Sequence, residues 1–142
     1  MANDRGAPSG EVLVDSNVIL DVATEDPRWG DWSASRLEEL GAAHPLVINP
    51  IVYAEVSVGY DRIEDLNAAL PLPSFRREAL PWDAAFLAGK AFVRYRRAGG
   101  RRRSPLADFY IGAHAAVRGF TLLTRDARRY RSYFPTVRVI AP

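Results

Sequence analysis

Four acidic residues, each at the edge of an apolar segment, are where this sequence could do chemistry. Asp15 ends the run Val12-Leu13-Val14 and is followed by Ser16-Asn17. Glu55 is embedded in Ile51-Val52-Tyr53-Ala54 and Val56. Asp108 comes after Ser104-Pro105-Leu106-Ala107 and precedes Phe109-Tyr110-Ile111. Asp126 follows Leu122-Leu123-Thr124-Arg125. A lone carboxylate in apolar surroundings is costly to desolvate, and carboxylates held close together repel and raise one another's pKa values. A divalent cation answers both problems. An all-oxygen donor set, with no cysteine and no neighbouring pair of histidines, suits Mg²⁺ or Mn²⁺ rather than Zn²⁺. Such a cation, held by carboxylates and water, can bind a phosphate oxygen and generate hydroxide for in-line attack. Each acid also has a plainer reading. Asp15 can cap a helix, Glu55 can pair with a buried arginine, Asp108 can favour a helix start, and Asp126 can cap a turn over 127–131. Those readings account for the acids one at a time and not for all four at one edge.

The elements that would bring them together follow from the pattern of runs and breakers. Residues 11–15 read as a buried strand, because a short continuous apolar run bounded by turn formers does. Ser16 and Asn17 are good caps, and a short helix follows over 16–23. Asp31 can cap a helix over 32–43, with Leu37 and Leu40 on one face. Pro45-Leu46-Val47-Ile48-Asn49 repeats the first pattern, and Pro50 suits a first helical position, so a helix is expected over 51–60. Another starts from an Asp61 cap and runs to 70, where Pro71 and Pro73 break the chain. A short extended piece falls within 75–80. A long amphipathic helix covers 82–97 and ends at Gly99-Gly100. Ser104-Pro105 opens a helix over 106–118, closed by Gly119. Residues 120–124 are a third buried strand, and 137–140 a last one at an edge. Strands alternating with helices predict an α/β fold, a mainly parallel sheet with helices on both faces. Strand carboxyl ends and the helix starts after them then share one edge, where such folds place ligands.

Bulk properties exclude several classes. With 142 residues the chain is expected to form one domain over 11–142, behind a disordered tail over 1–10. A chain without cysteine has neither disulfides nor thiolate metal sites. No apolar stretch approaches the about 18 residues of a membrane span, and residues 1–10 lack the apolar core of a secretory signal; a cytoplasmic protein is expected. The net charge of +2 hides a split. Residues 1–71 carry 4 arginines against 13 acids, a net −9. Residues 72–142 carry 14 arginines and one lysine against 4 acids, a net +11. An acidic site beside a basic surface suits a polyanionic partner, though a folded dipole without one would also show this split. Arg94, Arg96, Arg97, Arg101, Arg102 and Arg103 flank Gly99-Gly100 just before the Asp108 helix, and they could hold the backbone of a nucleic acid, or form a solvated loop or a protein contact. His114 and His44 are not read as ligands, and there is neither a Ser/His/Asp pattern nor a Gly-rich phosphate loop.

Four pieces, Leu13-Val14-Asp15-Ser16-Asn17-Val18, Ile51-Val52-Tyr53-Ala54-Glu55-Val56, Leu106-Ala107-Asp108-Phe109-Tyr110-Ile111-Gly112-Ala113-His114-Ala115 and Leu122-Leu123-Thr124-Arg125-Asp126, give the chain a family resemblance. In this order and spacing it resembles the PIN-domain ribonucleases, and among them the VapC toxins of bacterial toxin–antitoxin pairs. The resemblance implies a three-layer α/β/α domain, usually homodimeric, that cleaves RNA with Mg²⁺ or Mn²⁺ and is inhibited by a co-expressed antitoxin, often VapB-like. It implies Asp15 and Asp108 as the main metal ligands, with Glu55 and Asp126 completing the site, some through water. Asn17 and Thr124 match positions that often hold polar groups behind those ligands. Rival readings are a haloacid-dehalogenase-type phosphatase, an RNA-processing PIN-like protein outside a toxin–antitoxin pair, and an RNA-binding module without activity. The phosphatase type needs a second acid where Asn17 stands.

Overall fold

The structure, a computed structural model, describes residues 10–100 and 105–142. The expected tail, apart from Gly10, and the run Arg101-Arg102-Arg103 lie outside the described residues.

Three apolar runs become three buried strands: β1 (Val12–Val14), β2 (Leu46–Ile48) and β4 (Thr121–Leu123). Two shorter strands, β3 (Arg76–Arg77) and β5 (Val139–Ile140), complete a sheet of order β3-β2-β1-β4-β5. Every pairing is parallel, with Val12 opposite both Leu46 and Thr121 and Leu123 opposite Ile140. A parallel sheet is covered on both faces, which is why its inner strands are apolar throughout rather than alternating. The strand over 137–140 does lie at an edge, as expected.

The helices are α1 (Ser16–Ala23), α2 (Gly30–Ala43), α3 (Pro50–Ser57), α4 (Ile63–Ala69), α5 (Trp82–Arg97), α6 (Leu106–Arg118) and α7 (Arg128–Tyr133). Three matter for position. Asp15 caps α1, its Oδ1 accepting the Ser16 N–H at 2.8 Å. Asn49 caps α3, its Oδ1 accepting from Val52 N at 2.9 Å, with Pro50 first in the helix. Gly119 closes α6 in the left-handed region, φ 71°, where a side chain would be strained. Helix α6 is anchored by Phe109, fully buried among the rings of Tyr95 (5.7 Å), Tyr133 (5.1 Å) and Phe134 (6.2 Å).

A polar clamp ties α6 to the start of α3. The Asn49 side-chain amide donates to His114 Nδ1 at 3.0 Å, and His114 Nε2 donates to Glu78 at 2.8 Å. Because Asn49 Oδ1 is taken by Val52, its amide nitrogen faces the ring, and His114 is neutral with its proton on Nε2. Burial pushes the pKa of His114 down, against the pull of Glu78. Arg118 at 2.8 Å and Arg76 at 3.1 Å complete the shell around Glu78 and hold its carboxyl at about 2.

Several boundaries differ from expectation. Helix α2 begins at Gly30 because Asp26 takes the turn: its Oδ2 accepts from Arg28 N and Trp29 N, leaving Asp31 inside the first turn. Helix α3 stops at Ser57 rather than 60, as tight turns from Gly59 N to Val56 O and Tyr60 N to Ser57 O take over. Helix α4 begins at Ile63, two residues after Asp61. The turn expected over 127–131 is the helix α7.

Candidate active site at the carboxyl edge of the sheet

The parallel sheet puts the ends of β1 and β4 side by side, joined by a hydrogen bond from Asp15 N to Leu123 O at 2.9 Å. Asp15 is 4% exposed there. Its Oδ2 accepts from the Thr124 hydroxyl at 2.8 Å and the Tyr130 hydroxyl at 2.9 Å. Asp108, on the first turn of α6, lies across the same phenol: Tyr130 OH is 3.4 Å from Asp108 Oδ1. Asp108 Oδ2 accepts from Arg129 at 2.8 Å. Glu55, on α3, accepts the Ser16 hydroxyl at 2.7 Å through Oε1. Ser16 thus meets Asp15 through its backbone and Glu55 through its side chain.

The electrostatics follow from that crowding. Burial pushes the Asp15 carboxyl up to about 6; bonds from Thr124 and Tyr130 oppose the rise, and the charges of Asp108 and Glu55 add to it. Burial also raises Glu55, against its Ser16 bond, and Asp108 raises it further. The Tyr130 phenol is driven well above 10 by burial first and then by Asp15 and Asp108, so it stays a neutral donor.

Asp15, Glu55 and Asp108 are therefore brought together as mutually repelling charges. Asp126 is placed differently. It is exposed, and its Oδ1 accepts from Arg128 N at 3.4 Å at the start of α7. It joins the site through its backbone, whose N–H reaches Thr124 Oγ1 at 3.1 Å. Asn17 and Thr124 stand behind Asp15. The Asn17 amide reaches Thr124 Oγ1 at 3.3 Å, and its Oδ1 accepts from Arg125 N at 3.1 Å. Arg125 in turn pairs with buried Asp21 at 2.8 Å, which also accepts from Ser33. Sequence reasoning missed Tyr130, Arg129 and Ser16. Nothing in their local pattern announces them, except that Ser16 follows the strand-end acid.

Among the described residues, no three acidic or histidine side chains are gathered tightly enough to hold a metal ion as they stand. The Tyr130 hydroxyl stands between Asp15 and Asp108, and Arg129 neutralises the latter. The donor chemistry nevertheless fits a hard divalent cation. Asp15 and Glu55 are carboxylates with raised pKa values, and among the described residues neither has a basic partner.

Comparisons with known proteins bear on the fold that carries this site. No curated protein matches the chain. Among solved structures it is similar to VapBC2 from Rickettsia felis bound to a DNA fragment from their promoter, with 19% identity and a TM-score of 0.70, covering 92% of this chain and 98% of that one. It is similar to DNA-bound VapBC from Salmonella typhimurium, with 19% identity and a TM-score of 0.69, covering 94% and 98%. It is also similar to FitAcB from Neisseria gonorrhoeae, with 23% identity and a TM-score of 0.64, covering 91% and 96%. At these identities the likeness speaks for the fold. The family model of the PIN domain matches residues 12–134, nearly the whole described sheet and every acid discussed above, and the chain belongs to the PIN domain family.

Proposed function

We propose that this protein is a divalent-metal-dependent endoribonuclease of the VapC type, the toxin of a type II toxin–antitoxin pair. One observation carries the reading: three carboxylates from β1, α3 and α6 crowd at the carboxyl edge of the sheet, and the most buried has no basic partner among the described residues. The similarity to VapBC structures and to a toxin–antitoxin complex from Klebsiella pneumoniae supports a VapB-like antitoxin as partner; a homodimer is what the family resemblance implies. Among the described residues no helix is long and apolar enough to cross a membrane, and the expected setting is the cytoplasm, where free ribonuclease is toxic.

Asp15 and Asp108 would hold Mg²⁺ or Mn²⁺, with Glu55 and Asp126 assisting through water. Bound there, the cation would supply the positive charge that polarises a phosphodiester and eases deprotonation of the attacking water. The chain's own residues prepare that site. Thr124, Tyr130 and the Ser16 N–H fix the Asp15 carboxylate in one orientation. Ser16 aims Glu55 toward the same edge, and Asn17 holds Thr124. Arg101, Arg102 and Arg103, outside the described residues, would contact the RNA backbone beside the site. Attack by water leaves a 5′-phosphate and a 3′-hydroxyl and has no need of the 2′-hydroxyl.

The test is sequencing of RNA ends after induced expression, with and without the neighbouring small reading frame. The expected result is growth arrest, 5′-phosphate ends at discrete sites, and relief of both by the co-expressed partner. Ends bearing a 2′,3′-cyclic phosphate, or arrest that persists with no complex purified, would contradict it.

A further inference from the structure

Asp15 has three donors, and their distribution over its two oxygens is uneven. Oδ1 accepts the Ser16 N–H, while Oδ2 accepts both the Thr124 and the Tyr130 hydroxyls, at 2.8 and 2.9 Å. A carboxylate oxygen offers two in-plane lone pairs. Oδ2 is therefore full, and Oδ1 keeps one lone pair. The single phenol proton goes to Asp15, the nearer acid, and the oxygen that carries it lies 3.4 Å from Asp108 Oδ1. Tyr130 itself is 2% exposed, seated on α7 and closed into the core. A phenylalanine would fill that space equally well, and burying a hydroxyl is costly unless it is bonded. The packing of the ring does not account for the hydroxyl.

We propose that Tyr130 is a positioning residue that sets which divalent cation the site accepts, by filling Oδ2 of Asp15 together with Thr124 and leaving Asp15 a one-oxygen ligand. The proposal rests on the reading that Asp15 and Asp108 hold the catalytic metal. Mg²⁺ is small and six-coordinate, binds through one or two carboxylates and keeps several waters. Ca²⁺ gathers six to eight oxygens and often takes both oxygens of a carboxylate. A carboxylate whose second oxygen is already occupied serves the first ion and handicaps the second. Thr124 shares the task, since its hydroxyl holds the other lone pair of the same oxygen. Deleting either donor reopens Oδ2.

The test is calorimetric titration of Mg²⁺ and of Ca²⁺, separately, into the full chain and its Tyr130→Phe variant. The phenylalanine keeps the ring and removes one oxygen. The expected result is a rise of about tenfold in the ratio of Ca²⁺ to Mg²⁺ affinity, the equivalent of about 1.4 kcal/mol. Thr124→Val, which removes the other donor to Oδ2, should move the ratio the same way, and it carries the test if Tyr130→Phe does not fold. A role confined to packing would alter thermal stability and leave the ratio alone. A ratio unchanged within about twofold, with both ions still binding, overturns the selectivity role and leaves the nuclease reading standing. Binding of neither ion to the parent protein overturns the metal reading itself, and this inference with it.

Discussion

Asp15 is where burial, hydrogen bonding and charge repulsion meet, and its protonation should be readable in stability. Its folded pKa of about 6 lies above the ordinary 3.8. The fold therefore prefers the protonated acid. The stabilisation from that proton is complete below about pH 4 and is lost as pH rises through 6. Asp15→Asn removes the charge without removing the bulk. Measured by urea unfolding without divalent metal, the variant should exceed the parent by about 3 kcal/mol at pH 7.5, and the gap should shrink to about 0.5 kcal/mol by pH 4. His114 and Glu78 are common to both proteins and cancel in the difference. A gap independent of pH would mean that Asp15 is not the strained acid. At this scale the three acids were legible, because each stands directly after an apolar run or within the first turns of a helix. Tyr130 was not. It reaches Asp15 across 115 positions, and a tyrosine seven residues beyond a strand looks like any other core aromatic.

The elements deliver the acids, and α6 delivers Asp108. Its face against α7 is shaped around one missing side chain: a Cβ on Gly112 would come within 2.4 Å of Phe134 Cδ2, a ring only 3% exposed. Gly112→Ala should cost about 1–3 kcal/mol in denaturant unfolding, by overpacking. Because Gly112 lies one turn beyond Asp108, cleavage should fall as well. Stability within about 0.5 kcal/mol of the parent would show that Phe134 has room to move. Helices α1, α5 and α6 were legible to the residue, since their ends carry strong signals: a strand-end acid, the Gly99-Gly100 pair, Pro105 and Gly119. The starts of α2 and α4 were not, because Asp31 and Asp61 resemble caps while Asp26 and Arg62 occupy the turns that matter. The clamp of Asn49, His114 and Glu78 joins residues far apart in the chain, and no local pattern foretells it.

At the scale of the whole molecule, the half of the chain that is net −9 supplies Asp15 and Glu55, and the half that is net +11 supplies Asp108 with most of the arginines. That arrangement suits an acidic centre fed by a basic approach. Replacing Arg101, Arg102 and Arg103 together with Ala should weaken RNA binding and lower the log–log salt slope by up to about 2, at roughly 0.7 per phosphate on a single strand. Binding is best measured in the Asp15→Asn background, where turnover is expected to fall at least about 100-fold; an unchanged slope would move the run to the antitoxin contact. The central claim, that carboxylates at the sheet edge cleave RNA through a divalent metal, is tested most directly by one comparison. Purified parent and Asp15→Asn proteins are assayed on RNA at saturating Mn²⁺, and again after chelation. Cleavage by the parent that a chelator abolishes, with a loss of at least about 100-fold in Asp15→Asn, is the predicted result. Full activity of Asp15→Asn at saturating Mn²⁺, or cleavage indifferent to chelation, would contradict it.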